Sequence, residues 1–234
     1  MTAGQLFRGS DWNGIELVVF DMDGTLYSQY RLRIRIMRDM LLDAASRRTL
    51  DAIAVLRAYR RIRERLAEQE FPDFENALIA ETARVTEHSP EEVRSIVEEW
   101  IERRPLRYLA ACRYPGLLAL FAGLRRKAMA IGVLSDYPVP AKLSALGLHA
   151  DYVVCAGDDD IGLLKPNPRG LQAIIDAAGA DPRQTVMIGD RADRDGAAAR
   201  RLGTWPLIRS AKAIGDYQTF ATFNDAVFQS LLLG

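Results

Sequence analysis

Histidine and cysteine are scarce in this 234-residue chain, and each shortage excludes a class of site. The only histidines, His88 and His149, are too few for a histidine-rich zinc site and argue against a Ser-His-Asp triad. The only cysteines, Cys112 and Cys155, form no CxxC motif and lie beside apolar residues, which favours reduced, buried thiols over a disulfide. Any hydrolytic chemistry is therefore expected to depend on carboxylates.

Excess charge and long apolar runs are also missing. The chain has 31 Lys and Arg against 31 Asp and Glu, so its net charge gives no reason to expect nucleic-acid binding. No apolar stretch approaches the length of a membrane span, and Met1–Gly14 has no apolar core of a signal peptide. We expect a cytoplasmic protein with no membrane partner, either a monomer or a homodimer.

Short apolar runs alternate with helical patterns along most of the chain. The runs predict strands over Leu17–Asp21, Ala130–Ser135, Tyr152–Ala156, Thr185–Gly189 and Trp205–Ile208. Helical spacing of apolar residues over Pro115–Lys127, Val139–Leu146 and Pro168–Ala178 predicts helices between the later strands. This alternation predicts an α/β fold with a doubly wound parallel sheet. The C-terminal residues Phe220, Phe223, Val227 and Leu231 are interpreted as a final packing helix.

The first connection is far longer than an ordinary crossover. About ninety residues separate the first two predicted strands, and they show helical rather than strand patterns. One helix start is explicit at Ser89–Glu92, where serine, proline and glutamate form a capping pattern. Residues 28–112 are therefore predicted to form a helical insert, and residues 1–27 and 113–234 a Rossmann-like core.

The helical insert carries many arginines. Arg57, Arg60, Arg61, Arg63 and Arg65 are interpreted mainly as a solvated face with nearby glutamates, rather than as a binding surface. Arg31, Arg33 and Arg35 alternate just after the first strand, and the same interpretation is favoured for them over contact with an anionic substrate.

Two acids follow the first strand, in the run from Leu17 to Leu26. Asp21 and Asp23 are two residues apart, so they point the same way if the chain stays extended. Ligands of open α/β sheets bind at the carboxyl ends of the strands. Paired carboxylates repel each other, so the pair needs a cation, a shared proton or separate roles.

Polar residues at later strand ends provide what such a pair needs. The hydroxyl of Ser135, at the tip of the second strand, can hold a phosphate oxygen, and Asp136 is expected to turn its side chain away and offer its backbone N–H. Lys165 is one of only four lysines and lies in a proline-fixed turn that can aim its ammonium group. Asp190 follows the fourth strand and could complete a Mg²⁺ site begun by Asp21. Asp193 and Asp195 are candidates for indirect ligation or for orienting Lys165.

These residues, in this order, resemble the four motifs of the haloacid dehalogenase-like superfamily, chiefly its phosphatases. Asp21 to Leu26 is similar to the first motif, Ser135 to the second, Lys165 to the third, and Gly189-Asp190 with Asp195 to the fourth. The resemblance covers residues 15–27 and 113–210, and the place of the helical insert is similar to the family's C1 cap.

The resemblance implies roles for these residues. Asp21 would attack phosphorus to form an aspartyl-phosphate, and Asp23 would protonate the leaving alcohol and later activate water. Mg²⁺ would be bound by Asp21, Asp190, the backbone carbonyl of Asp23 and Asp195, while Asp193 stays open as the alternative to Asp195. The phosphate would be held by Gly24, Thr25, Ser135, Asp136 and Lys165.

The presence of Asp23 also bears on the reaction class. Dehalogenase-type members of the family lack an acid two residues after the nucleophile, since halide needs no protonation, so Asp23 favours phosphate chemistry. The leading hypothesis is a Mg²⁺-dependent phosphatase of a small phosphorylated metabolite. A phosphomutase acting on a sugar phosphate, and a catalytically silent regulatory or interaction protein, are the alternatives.

Overall fold

A single parallel sheet organises the chain. The computed structural model describes residues 7–233. Its strands are β1 (Leu17–Asp21), β2 (Ala130–Ser135), β3 (Tyr152–Cys155), β4 (Thr185–Gly189), β5 (Trp205–Arg209) and β6 (Gln218–Phe220). They form one six-stranded sheet in the order β3-β2-β1-β4-β5-β6, and every neighbouring pair is parallel. The predicted doubly wound α/β fold is therefore confirmed.

Helices cover both faces of this sheet and fill the long first connection. They are α1 (Gln29–Arg47), α2 (Asp51–Glu68), α3 (Phe74–Thr86), α4 (Pro90–Val97), α5 (Arg104–Cys112), α6 (Leu117–Arg126), α7 (Pro140–Leu146), α8 (Arg169–Ala178), α9 (Ala197–Leu202) and α10 (Gln229–Leu232). Two π-helical turns occupy Glu98–Arg103 and Ala192–Gly196. No helix between residues 7 and 233 is both long and apolar enough to cross a membrane.

The central strand β1 is buried on both faces. All five of its residues are buried, and its side chains alternate between two apolar clusters. Val18 and Phe20 face the larger cluster, whereas Leu17 and Val19 pack with α8 residues such as Ile174 on the other side. A continuous apolar run without polar alternation is what a parallel strand covered by helices on both faces requires.

The strand order reverses beside β1. From β1 the chain moves outward to β2 and β3, then returns to β4 on the other side of β1. The side-by-side register of β1 with β2 and β4 brings Asp21, Ser135 and Gly189 to the same edge of the sheet. This edge is the crevice where open α/β sheets bind ligands.

The two ends of the helical segment between β1 and α6 lie side by side and are joined by backbone hydrogen bonds. The N–H of Ser28 donates to the carbonyl of Cys112 at 2.9 Å, and the N–H of Tyr114 donates to the carbonyl of Leu26 at 3.2 Å. Ser89 and Glu92 form the predicted capping box at the start of α4. Cys112, at the end of the segment, and Cys155 are both free thiols.

The C-terminal region differs from its predicted helix. Phe220 lies in β6, and helix α10 comprises only Gln229–Leu232. The Asp225 carboxylate accepts from the Ala221 N–H at 2.7 Å and from the Thr222 hydroxyl at 2.6 Å, and such local bonds compete with a helix. The helical spacing of apolar residues arises here from separate short elements packing on one core. Residues 1–6 and Gly234 lie outside the described residues. The first six belong to the N-terminus that is predicted to lack a signal peptide, and both parts belong to the predicted core.

The contact between α6 and α10 predicts a sensitive glycine. A Cβ atom at Gly123 would lie 2.1 Å from the backbone carbonyl oxygen of Leu231. We expect Gly123→Ala to lower the free energy of unfolding by about 1 to 3 kcal/mol, because the two helices must separate, as measured by urea denaturation. The matched control is Gly14→Ala, since nothing lies within 4 Å of a Cβ atom there. Equal stability of the two variants would contradict this account.

Candidate active site

A cavity of about 400 Å³ opens above the carboxyl edge of the sheet, between the strand ends and the helical segment. Its floor contains Asp21, Asp23, Lys165, Asp190 and Asp195. The structure therefore brings together acidic and basic residues that are far apart in the sequence, up to the 174 positions between Asp21 and Asp195.

Asp21 occupies the end of β1 and is held by two donors. Its side chain accepts a hydrogen bond from the Thr25 hydroxyl at 2.9 Å and another from the ammonium group of Lys165. Gly24 makes the intervening turn with φ of +103°, and a Cβ atom there would lie 2.2 Å from Oδ2 of Asp190. Only glycine allows this turn to bring Asp21 and Asp190 so close.

Lys165 connects two of the acids. Its Nζ donates to Oδ1 of Asp195 at 2.7 Å as well as to Asp21, and all three side chains are buried. The other oxygen of Asp195 accepts from the backbone N–H groups of Asp190 at 3.1 Å and Arg191 at 3.0 Å. Asp195 thus positions both Lys165 and the loop after β4.

Asp193 takes no part in this network. Its side chain is 66% exposed and pairs with Arg191 and with the buried Arg194. The π-helical turn after β4 accounts for the difference, because it buries Asp195 and leaves Asp193 outside. Of the two acids left open by the sequence, Asp195 is the one inside the site.

The carboxylates of Asp21, Asp190 and Asp195 form a candidate cation site. One oxygen from each lies within 4.8 Å of the others. Burial raises the pKa of Asp21 well above its usual range despite Lys165, and burial followed by the charge of Asp195 raises the pKa of Asp190 to about 6. Three acids and one ammonium group leave an excess of negative charge, which an oxygen-ligated divalent cation would neutralise.

Asp23 has a different environment. Lys142 donates to its two carboxylate oxygens at 2.9 and 3.0 Å, and the Tyr27 hydroxyl also donates to it. Burial alone would raise the pKa of Asp23, but the charge of Lys142 and the hydrogen bonds from Tyr27 and Lys142 bring it below its usual value. The backbone carbonyl of Asp23 accepts from Nε2 of Gln29 at 2.7 Å.

The sequence interpretation missed Lys142 and Tyr27 as partners of Asp23. A signal for Lys142 was present, because it lies three residues after Val139 and four before Leu146 and so shares their apolar helix face. A lysine at such a position is buried and needs a partner. Its partner is 119 residues away, and spacing within α7 does not identify it.

Ser135 and Asp136 lie where β2 ends. The fully buried Ser135 hydroxyl accepts from the N–H of Tyr137 at 3.1 Å and lies 3.4 Å from a carboxylate oxygen of Asp23. Oδ1 of Asp136 accepts from the N–H of Lys165 at 3.5 Å, so this side chain points toward the third motif. Ser135 therefore contacts the second acid of the first motif, and Asp136 contacts the backbone of Lys165.

Arg63 contradicts its interpretation as part of a solvated face. It is 6% exposed, and its guanidinium group stacks 4.0 Å from the ring centre of Tyr137. It donates to the Tyr59 hydroxyl at 3.3 Å and to the carbonyl of Asp136. Arg63 shares the inward face of α2 with Tyr59 and Leu66, whereas Arg57, Arg60, Arg61 and Arg65 are exposed as expected.

A second contact joins α2 to the loop after β4. The buried Arg194 donates to the carbonyl of Lys165 at 2.9 Å and to Oε2 of Glu64 at 2.9 Å. Arg191 donates to the same Glu64 carboxylate at 2.8 Å. Through Arg63 and Glu64, one helix therefore contacts both loops that carry the second and fourth motifs.

Comparison with known proteins identifies the family of this chain. Residues 15–203 match the family model of the haloacid dehalogenase-like hydrolases. The chain is 31% identical over 119 residues to a phosphoglycolate phosphatase of Rhodospirillum rubrum, a match covering 48% of this chain and only 49% of that protein. It is 26% identical over 216 residues to a glyceraldehyde 3-phosphate phosphatase of Methanopyrus kandleri, covering 90% of this chain and 89% of that protein.

Solved structures share the fold. A 2-haloacid dehalogenase from Pseudomonas syringae superposes with a TM-score of 0.65 at 20% identity, covering 94% of this chain and 98% of that one. At this identity the similarity concerns the fold alone.

The contact between Lys142 and Asp23 predicts a stability change that depends on pH. We expect Lys142→Met to lower the free energy of unfolding by about 3 kcal/mol at pH 7, because Asp23 is left as a buried carboxylate without its cation. The pKa of Asp23 is lowered in the folded state, so the ionised pair stabilises the fold fully at pH values above the ordinary pKa of an aspartate. This stabilisation is lost as the pH falls through the folded-state pKa. The difference from the wild type should therefore shrink toward acid pH in urea denaturation.

The exposed Lys127 provides the matched control for this experiment. Lys127→Met should change the stability by less than about 0.5 kcal/mol at either pH. A Lys142→Met protein with wild-type stability at pH 7 would show that the contact with Asp23 does not stabilise the fold.

Proposed function

Since this chain belongs to the haloacid dehalogenase-like hydrolases, we propose that it is a Mg²⁺-dependent phosphatase that hydrolyses a small phosphorylated metabolite. The observation that carries the proposal is the arrangement around Asp21, where one carboxylate faces a lysine and two further acids within 4.8 Å. This arrangement combines a nucleophile, a cation site and an anion-binding group. Relatives named as phosphatases support the same reaction.

Asp21 is the proposed nucleophile. It lines the cavity at the end of β1, and Thr25 and Lys165, which donate to its two oxygens, fix the orientation of the carboxylate. Attack on phosphorus forms an aspartyl-phosphate and releases the alcohol, and water then hydrolyses the intermediate. Burial first, and then the charges of Asp195 and Asp190, raise the pKa of Asp21, and a bound cation would lower it.

Asp21, Asp190 and the carbonyl of Asp23 are the proposed magnesium ligands. The donor set contains oxygens only, which suits this hard cation. Magnesium would supply neutralisation of charge on the phosphoryl group and on the attacking carboxylate. A ligand role for Asp195 stays a prediction beside its positioning of Lys165, which donates to Oδ1 of Asp195 at 2.7 Å.

Asp23 is the proposed acid and base. It lies beside Asp21 at the cavity floor, and Ser135 and Lys142 hold its carboxylate in place. The transferring oxygens would be held by Ser135, Lys165 and the backbone of the Gly24–Thr25 turn and of Asp136. The segment 28–112 would act as the cap that covers this floor and restricts water.

Replacement of the nucleophile is the first test. We expect Asp21→Asn to lose at least about a thousandfold in kcat for phosphate release, because an amide cannot form the acyl-phosphate. Release of inorganic phosphate from a panel of phosphate monoesters, with magnesium present, measures the effect. Asp193→Asn changes an exposed acid of the same region and should retain activity. Turnover by Asp21→Asn would refute the nucleophile assignment, and an isomerised sugar phosphate without free phosphate would indicate a mutase.

Magnesium should also stabilise the protein in a pH-dependent way. Without the cation, protonation of Asp190 stabilises the fold below about pH 6, and this contribution is lost as the pH rises through that value. We expect magnesium at about 100 times its Kd to raise the Tm by about 5 to 10 °C at pH 7.5, and by clearly less at pH 5, where protons compete for the ligands.

Calorimetric melting with and without the ion tests this dependence. Asp190→Asn should abolish most of the increment at pH 7.5. An equal rise in Tm at pH 5 and pH 7.5, or an undiminished rise in Asp190→Asn, would show that the cation binds elsewhere.

A further inference from the structure

The cavity above the acids extends into the helical segment, where its walls become apolar. Leu32, Ile36 and Met40 line one side of it and follow each other at four-residue intervals on the inner face of α1. Trp100 and Ile101 line another side. None of these five residues is more than 9% exposed.

Trp100 is packed between other side chains in this wall. It lies in the π-helical turn Glu98–Arg103, a wider turn of helix that brings both Trp100 and the adjacent Ile101 to the buried side. The guanidinium group of Arg104 stacks on the indole 4.0 Å from its centre and is itself paired with Glu99 and Asp43. π-Helical turns are frequent at functional sites.

The charged side chains of the helical segment that line the cavity are mostly engaged already. Arg63 and Glu64 make the contacts with the core described above, and Arg33 donates to Oε1 of Gln29 at 2.5 Å. The exposed Arg60 is the one charged side chain in this wall for which the described residues supply no partner. Apart from the indole N–H of Trp100 and the already engaged Arg63, the buried part of the wall therefore offers a substrate apolar surface.

We propose that the preferred substrates are phosphate monoesters of apolar alcohols, whose hydrocarbon part packs between α1 and Trp100. This inference rests on the proposed phosphatase function and specifies its substrate class. The phosphate lies at the acidic floor with Lys165, and the leaving alcohol extends toward Ile36 and Met40. Polar leaving groups lose their hydration against these walls without gaining hydrogen bonds, so they bind less well.

A series of n-alkyl phosphates from ethyl to hexyl tests this preference. The alcohols have similar leaving-group acidity, so differences in kcat/KM report binding of the hydrocarbon part in the transition state. Each buried methylene contributes up to about fourfold in kcat/KM, the fold-change that corresponds to about 0.8 kcal/mol. With magnesium present, we expect an increase of at least about tenfold from ethyl to hexyl phosphate, and lower values for phosphoglycolate and glycerol phosphate.

Variants of the wall locate the effect. We expect Trp100→Ala and Ile36→Thr each to lower the hexyl-to-ethyl ratio of kcat/KM several-fold, and Trp100→Phe to retain most of it. The ratio is measured within one preparation, so partial loss of folded protein cancels. Val93→Ala is the matched control, because Val93 is fully buried in α4 of the same segment but does not line the cavity. Its ratio should equal that of the wild type.

The outcomes separate the two proposals. Three results would overturn the apolar-substrate inference and leave the phosphatase proposal standing. They are a kcat/KM that stays flat or falls from ethyl to hexyl phosphate, a higher kcat/KM for phosphoglycolate than for hexyl phosphate, as recognition by Arg60 would give, and an unchanged hexyl-to-ethyl ratio in both Trp100→Ala and Ile36→Thr. Absence of phosphate release from every ester would overturn the phosphatase proposal, and this inference with it.

Discussion

The buried ammonium group of Lys165 is the contact on which the arrangement of the site depends. Asp21 lies at the end of β1 and Asp195 in the turn after β4, and these two buried carboxylates would repel each other without a cation between them. Burial disfavours the charge of Lys165, but the two carboxylates, Asp195 first, raise its pKa well above the usual value and keep it protonated. One cation therefore fixes the distance between the ends of β1 and the loop after β4.

The same principle extends from the sheet to the helical segment. Arg194 binds the carbonyl of Lys165 and also the carboxylate of Glu64, so the network around the acids continues directly into α2. Arg63 makes the corresponding contact with the loop after β2 through the carbonyl of Asp136. Because both contacts are made by adjacent residues of one helix, a movement of α2 would alter both loops together. The position of α2 and the geometry of the floor are thus coupled.

Local patterns were sufficient to predict the parts of this molecule that depend on local physics. The apolar runs predicted β1, β2 and β4 with their observed bounds, because fully buried parallel strands leave an unbroken hydrophobic signal. Partners distant in sequence were not predictable in this way. Lys142 reaches Asp23 across 119 residues, and Arg63 reaches a backbone carbonyl that has no side-chain signature. The short strand β6 was missed because Gln218–Phe220 offers only three residues of pattern.

The environment of Asp23 places a requirement on the proposed mechanism. In the free protein its contacts with Lys142 and Tyr27 favour the carboxylate, whereas protonation of a leaving alcohol needs the acid. A phosphate group held by Ser135 and Lys165, as proposed, would bring negative charge close to Asp23, since Ser135 lies 3.4 Å from it. That charge would raise the pKa of Asp23 and favour uptake of a proton in the proposed substrate complex. On this argument the lysine keeps Asp23 ionised until a substrate is present, which confines the acid to the complex in which it is needed.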